Sequence, residues 1–406
     1  MAEIITGLDI GSSSIKGVVV TRKKDGAYSV LSVFQHPSAG FRKGILVDIE
    51  EALKTLRSVV MDLEKVSRRA AQRIFVNING QHIRSRRSRG IVAVSRADQE
   101  IQEDDVDRVK QASQAVKLLP NYTVLHNIIA EYFVDDVGDI RDPIGMTGSR
   151  LEVDTLIIES FAPHITALVR LIEKAGGSVS GLIFSPFAAS EAVLSKRQKE
   201  LGVLLIDLGF STTSCIVYEE GKAVHAKTVP VGSGHVTNDI AIGLKVSVDV
   251  AEKLKLRHGF AVSKEVNRRE RIRLADVDSS ARDQKEISQR FLSEIMEIRL
   301  EEIFDLVNNE LRDLGKLQLP AGAVLTGGGA KLAGIDELAR QELKLAVQLG
   351  FPAVDDFDVS NPTHQELLDD PGFATAVGLL RWGDKERGRR LPSVSRLKRF
   401  IKNLMP

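Results

Sequence analysis

Ile4-Ile-Thr-Gly-Leu-Asp9-Ile-Gly11-Ser12-Ser13-Ser14-Ile-Lys16-Gly-Val-Val-Val20 is the stretch whose reading decides the fold. An apolar run reaches Asp9, a Gly/Ser turn follows, and a second apolar run leaves from Gly17. Two short β-rich runs joined by small residues predict a hairpin. Gly11 lets the backbone bend and lets a bulky anion come close. Ser12, Ser13 and Ser14 offer N–H groups and hydroxyls to phosphate oxygens. Lys16 adds a cation for the same anion. Asp9 adds a carboxylate for hydrated Mg²⁺, which keeps most of its waters and needs only one or two protein carboxylates. Alone, such a short motif describes an ordinary Ser-rich hairpin equally well.

The pattern recurs. Val203-Leu-Leu-Ile-Asp207-Leu-Gly209-Phe-Ser211-Thr212-Thr213-Ser-Cys-Ile-Val-Tyr218 repeats the order of apolar strand, Asp, Gly, hydroxyl cluster and apolar strand. Two such hairpins in one chain suggest an internal duplication. A third piece, Ala323-Val-Leu-Thr-Gly327-Gly328-Gly329-Ala-Lys331, reads as a strand feeding a triple-Gly turn. Two opposed phosphate hairpins plus a glycine turn for the nucleoside resemble the actin/hexokinase/Hsp70 nucleotide-binding fold. That resemblance implies an α/β chain of two lobes with ATP in the cleft between them.

With 406 residues the chain is long enough for two or more domains. Its 43% hydrophobic and 27% charged content is that of a soluble globular protein. The net charge of +1 is unevenly spread, because eight Lys/Arg against two Asp/Glu fall after Trp382. A basic end on a mildly acidic body suggests an interaction segment. The single cysteine, Cys215, excludes an internal disulfide and a multi-cysteine metal site, and fits a reducing cytosol. No signal peptide is expected from the opening residues. No stretch approaches the 18 apolar residues of a membrane span.

Along the chain, Ile49–Lys65 and Glu103–Leu119 have helical spacing, the second expected to stop at Pro120. Ile74–Ile78, Tyr122–Val134 and Leu151–Ser160 read as strands. Arg84, Arg86, Arg87 and Arg89 make a dense basic run, but no aromatic residue interleaves them and acidic residues follow, so a solvated or interface strand is expected and no nucleic-acid partner. Ser185-Pro186 opens a helix that carries Glu191. After the second hairpin, Gly234 lies in a Gly-rich loop placed to approach a ligand, with His235 a loop side chain beside it. Glu252 and Lys255 stand at i, i+3 on a helix, a spacing that ordinarily gives a surface ion pair. Ser263–Glu286 reads as polar loops, Glu286–Leu314 as a long amphipathic helix, and Gly372–Trp382 as an apolar helix between the lobes.

From Gly383 a polar linker is expected, then a second informative segment. Val394, Leu397, Ile401 and Leu404 share one helical face, with Phe400 and Met405 flanking it and Arg396, Lys398, Arg399 and Lys402 on the rest. A short basic helix with a bulky apolar face fits an interfacial anchor on anionic lipid.

The hairpins, the triple-Gly turn, the insertion and the C-terminal helix together resemble the FtsA family of actin-like bacterial cell division proteins over nearly the whole chain. The resemblance implies a first lobe of 1–83 and 161–198, interrupted by an inserted α+β subdomain at 84–160. It implies a second lobe of 199–227 and 304–382, with a nucleotide-clamping subdomain at 228–303 that binds the C-terminal peptide of the tubulin homologue FtsZ. A linker at 383–392 and a membrane-targeting helix at 393–406 follow. Further implications are ATP with Mg²⁺, the metal held through water by Asp9 and Asp207. Self-association into filaments, attachment at the cytoplasmic face of the bacterial inner membrane, and recruitment of later division proteins are also implied. In actin-like relatives a helix at the position of Glu191 carries the residue that orients water, and Glu/Lys pairs spaced like Glu252 and Lys255 hold the ribose. Arg299 corresponds to an FtsZ-contacting arginine, and ATPase activity is weak at most. A PilM-like pilus scaffold shares the hairpins but not the C-terminal helix, and a sugar kinase of the superfamily needs a substrate base in the first lobe.

Overall fold

The computed structural model describes residues 3–277, 286–315 and 319–388. Each lobe is built on a sheet with the same internal order. In the first, Tyr28–Pro37, Ser14–Arg22 and Ile4–Ile10 run antiparallel, and Ile74–Ile78 and Val179–Phe184 continue parallel to Ile4–Ile10. In the second, Lys222–Val229, Thr213–Glu219 and Val203–Leu208 run antiparallel, and Ala323–Thr326 and Val347–Leu349 continue parallel. The duplication expected from the two hairpins is therefore a duplicated five-strand pattern, extended in the first lobe by Phe357–Asp358. Central parallel strands must be covered on both faces, which is why they are near-continuous apolar runs. Ile74–Ile78 is buried at every position, and Val203–Leu208 at every position but Asp207.

The helix Ile49–Val66 covers one face through Ala52, Leu56, Val59, Val60 and Leu63, one stripe at 3.6-residue spacing. Its start is fixed by Asp48, whose carboxylate accepts from the Glu50 and Glu51 amides at 3.0 and 3.1 Å. Two helices lie between the lobes, Ser185–Val193 and Ala374–Gly388. Both are rich in small residues because their backbones nearly touch: a methyl group at Gly378 would overlap the Ala188 carbonyl. Residues of both lobes, among them Ile5, Val203, Ile216 and Val377, meet in one continuous core around them. The second lobe has its own core, to which the helix Gln289–Leu314 contributes Leu292, Met296, Leu300, Ile303 and Phe304.

The inserted unit is a four-stranded sheet in the order Arg84–Ala93, Arg150–Phe161, Tyr122–Val134, Val137–Ile140. The helix Glu103–Gln114 packs on it over a small core that includes Ile101, Val106, Val109, Leu151 and Val153. The arginine run is an ion-paired strand: Arg86 pairs with Glu159, Arg87 with Asp154, and Arg89 with Glu152 at 2.6 Å, all on the adjacent strand. Arg84 lies 5.3 Å over the Tyr122 ring.

Four sequence expectations are corrected. The Glu103 helix ends at Gln114, before Pro120, because buried spacing ends at Ser113 and Leu119 is exposed. The long helix starts at Gln289 and not Glu286, since the Ser288 hydroxyl caps it by accepting from the Phe291 amide at 3.3 Å, while Glu286–Ser288 pairs as a strand with Arg271–Arg273. The segment around Gly234 is the helix Ser233–Leu244, and the His235 ring accepts from the Gly232 amide at 3.1 Å. The last apolar helix passes Gly383, the expected start of the linker, and continues to Gly388 because Asp384 and Lys385 are ion-paired to Arg22 and Glu191. The expected anchor, 393–406, lies outside the described residues. Among the described residues no helix is long and apolar enough to cross a membrane.

Candidate functional site

Both hairpin turns are closed in the same way: the Gly11 amide donates to the Ser14 carbonyl at 3.1 Å, and the Gly209 amide to the Thr212 carbonyl at 3.0 Å. The two turns face one cavity of about 400 Å³ between the lobes. Its lining brings together Asp9, Gly11, Ser12, Ser13, Ser14 and Lys16 from the first hairpin. From the second lobe come Asp207, Gly209, Ser211 and Thr212, the turn Gly327, Gly328, Gly329 with Lys331, and Glu252 and Lys255.

The glycine turn is specific to its place. Gly327 has φ +88°, and a side chain on it would strike the Asp207 carboxylate. A Cβ on Gly328 would meet no atom within 4 Å and would project into open space. The turn thus offers bare backbone to the cavity, the surface a close-packed ligand needs.

Asp9 and Asp207 are recessed carboxylates on opposite lobes. Burial pushes Asp9 up to about 6, with Asp207 adding to the rise and Lys16 opposing it. Burial raises Asp207 as well, against Lys16 and the Thr375 hydroxyl. Asn77 holds Asp9 in place: its Nδ2 donates to Asp9 Oδ1 at 2.7 Å and its Oδ1 accepts from the Ile10 amide at 2.7 Å. Lys16 Nζ donates to the Gly372 carbonyl at 2.8 Å. Two carboxylates raised by burial are ionised most readily beside a cation, so the donor set fits a divalent metal. Among the described residues no group of three or more His, Cys, Asp or Glu is placed to hold one. Water and phosphate oxygens would complete the shell, the ordinary mode for Mg²⁺.

Glu252 and Lys255 are not the surface pair their spacing ordinarily gives. The Lys255 side chain is buried, its ammonium 2.7 Å from Glu252 and donating to Thr237 Oγ1 at 2.8 Å and the Ser233 carbonyl at 3.3 Å. Burial lowers the Lys255 pKa against the pull of Glu252. The pair forms a fixed polar wall that can meet ligand hydroxyls.

Three residues expected at the nucleotide site, Thr213, Gly234 and Glu191, lie outside the lining. Thr213 is buried, its hydroxyl donating to the Val231 carbonyl at 2.8 Å. Gly234 packs against the Phe210 ring, behind the lining. Glu191 pairs with Lys199 at 3.1 Å and with Lys385. It is Ser185, at the start of the same helix, that reaches the cavity; Glu191 follows about 9 Å further along the axis. Arg299 is held by Asp239 at 2.5 and 3.1 Å and by Glu302. Sequence reasoning passed over Asn77, Asn79, Ser185, Asp370, Gly372 and Thr375, which also line the cavity. The polar residue inside the apolar run Ile74–Ile78 was a readable sign for Asn77; nothing in the local sequence distinguishes Thr375.

Family models described as "Cell division protein FtsA" and "SHS2 domain inserted in FTSA" match residues 204–378 and 80–159. The cell division protein FtsA of Pseudomonas aeruginosa is 35% identical over 94% of this chain and 89% of its own length. That of Bacillus subtilis is 34% identical over 96% and 86%, and that of Escherichia coli 30% over 94% and 90%. Among solved structures, a PilM–PilN type IV pilus biogenesis complex chain superposes with TM-score 0.64 at 16% identity, covering 93% of this chain and 98% of its own. MreB 5 of Spiroplasma citri bound to AMPPNP gives 0.54 at 14%, covering 99% and 98%. At such identities these two establish the actin-like fold and nothing finer.

Proposed function

The chain belongs to the FtsA family of cell division proteins, and from that premise we propose that it is an ATP-binding, filament-forming tether between the FtsZ ring and the cytoplasmic membrane. One observation carries the nucleotide part: both hairpin turns, the bare glycine turn and the Glu252–Lys255 pair line a single cavity. Ser12, Ser13, Ser14 and Lys16 would hold the phosphates from one side, and Ser211, Thr212 and the Gly327–Gly329 turn from the other. Asp9 and Asp207 would hold hydrated Mg²⁺, which supplies charge neutralisation to the phosphates. Glu252 and Lys255 would meet the ribose hydroxyls. Phosphoryl transfer depends on positioning and charge more than on covalent chemistry. Glu191 is engaged by two lysines outside the cavity, and hydrolysis that is weak at most is part of the proposal.

The subdomain 228–303 is the proposed site for the FtsZ C-terminal peptide. Ile242 and Ile298 are 76% and 68% exposed there, beside the Arg299–Asp239 pair. Apolar and charged groups side by side suit an amphipathic peptide. The segment 393–406 is the proposed anchor, and later division proteins are proposed partners of the assembled filament.

The test is recruitment of fluorescent FtsZ to vesicles containing anionic lipid by the full chain with Mg-ATP. FtsZ should coat the vesicles only when the full chain is present, and chain ended at 392 should fail to bring it there. Equal recruitment by the shortened chain would overturn the tether.

A further inference from the structure

The helix Ala374–Gly388 begins in the cavity and ends at Gly388, inside the stretch expected to be a linker to the anchor. At its start, the Thr375 hydroxyl donates to Asp207 at 3.4 Å, and the Pro371 carbonyl just before it accepts from the Gly327 amide at 3.2 Å and the Thr326 hydroxyl at 3.1 Å. Asp370 pairs with Lys331 at 2.5 Å. These are contacts to the second lobe. The Gly372 carbonyl meanwhile accepts from Lys16 of the first. The start of the helix is therefore gripped by both sides of the cavity.

The body of the helix is wedged against first-lobe backbone. A side chain at Gly7 would run into the Ala376 carbonyl, one at Gly378 into the Ala188 carbonyl, and one at Gly383 into the Phe75 ring. Such close approaches leave little room for local deformation, so a displacement at one end is passed along the helix, because packed interiors transmit strain. Its far end is clamped again. Arg381 donates to the Ala353 carbonyl at 2.5 Å and to Asp356 at 2.7 Å, Asp384 accepts from Arg22 and, at 3.1 Å, from the Tyr28 hydroxyl, and Lys385 pairs with Glu191. The start and this clamp lie about 15 Å apart along the axis at 1.5 Å per residue.

We infer that this helix is a coupling rod: ligand bound between Asp9 and Asp207 shifts its start, and the rod carries the shift to the clamp of Arg381, Asp384 and Lys385, which precedes residues 389–406 in the sequence. The inference rests on the proposed nucleotide and membrane roles and adds a link between them. Linkage makes the effect reciprocal, so whatever restrains the far end must change nucleotide affinity by the same factor as nucleotide changes the far end.

The test uses the full chain and two measurements. Hydrogen exchange with and without Mg-ATP should show slower exchange in the Gly327–Lys331 turn and, at a distance, in the Arg381–Gly388 stretch and around Arg22 and Glu191. In the double substitution Asp384→Asn with Lys385→Gln, the turn should still be protected and the distant stretch should not. Vesicles of mixed zwitterionic and anionic lipid should shift wild-type ATP affinity about 5-fold or more, within the usual range of coupling, and leave the double variant unshifted. Protection confined to the cavity in the wild type, or unchanged distant protection in the double variant, overturns the rod. Distant protection without vesicle binding upholds the rod and overturns the membrane role. No protection at the glycine turn overturns the nucleotide role and the rod with it.

Discussion

Asn77 donates to Asp9 at 2.7 Å from the neighbouring parallel strand, while accepting from the Ile10 amide and donating to the Ser185 hydroxyl at 3.2 Å. One buried amide thus ties the Asp9 carboxylate to the first crossing helix. Asn77→Ala leaves the Ile10 amide without its partner, and a buried unsatisfied group costs about 1–3 kcal/mol. The urea midpoint should fall accordingly, with Mg²⁺-dependent ATP binding weakened beyond the loss in a Mg²⁺-free control.

The Asp9 carboxyl titrates near 6 in the folded chain, above its ordinary 3.8. Between those values the folded form holds a proton that the unfolded chain has lost, so this group's contribution is full near and below pH 3.8 and is lost as pH rises through 6. The proposed Mg²⁺ site needs the ionised form. The rise in Tm on adding Mg-ATP should therefore be smaller at pH 5 than at pH 7.5, and Asp9→Asn should reduce that difference to the part set by Asp207 and the ATP phosphate. A ligand-induced rise that is the same at both pH values would remove Asp9 from the metal site.

His126 shifts in the opposite sense. It is partly buried between Phe187 and Trp382, with ring centroids 5.6 and 5.5 Å away, and its Nε2 accepts from the Phe184 amide at 3.0 Å. Burial lowers it to about 4 from 6.5. The unfolded chain takes up this proton first, so stability is lost as pH falls from 6.5 towards 4. His126→Phe keeps a ring but strips the Phe184 amide of its acceptor. Denaturant midpoints should drop at pH 7.5 and depend less on pH in that window. Some dependence should remain, because burial pushes His82 down to about 4 as well.

The two hairpins, the glycine turn and the Glu252–Lys255 pair were legible because each places its chemistry within a few adjacent residues. Glu191 was misplaced for a physical reason: helical spacing gives a face, but which face meets a cavity depends on partners such as Lys385, distant in sequence. Thr375 and Gly372 stayed hidden likewise, since only the packing of a late helix beside the first strand brings them to Asp207 and Lys16. The stop at Gln114 was missed because Pro120 offered an obvious terminator, while burial ended the helix earlier.

Beyond the described residues, Phe400→Glu places a charge beside the apolar face expected at 393–406. Each bulky side chain there is worth roughly 1.5–3 kcal/mol when fully buried, and less at an interface. Co-sedimentation with anionic vesicles should fall sharply for Phe400→Glu. Lys398→Glu with Lys402→Glu should lose binding mainly as the anionic fraction is raised. A Phe400→Glu protein that pellets like the wild type would contradict the anchor.

Binding of ATP in the cavity between the lobes is tested most directly at Gly328. A side chain there meets no protein atom within 4 Å, so Gly328→Val should fold normally while filling the space the phosphates need. Titration with a fluorescent ATP analogue in Mg²⁺, beside circular dichroism of the same samples, should give saturable binding in the wild type. The variant, with unchanged Tm, should bind at least about 100-fold more weakly, a loss of about 2.7 kcal/mol. Equal affinity in a folded Gly328→Val chain would contradict the claim.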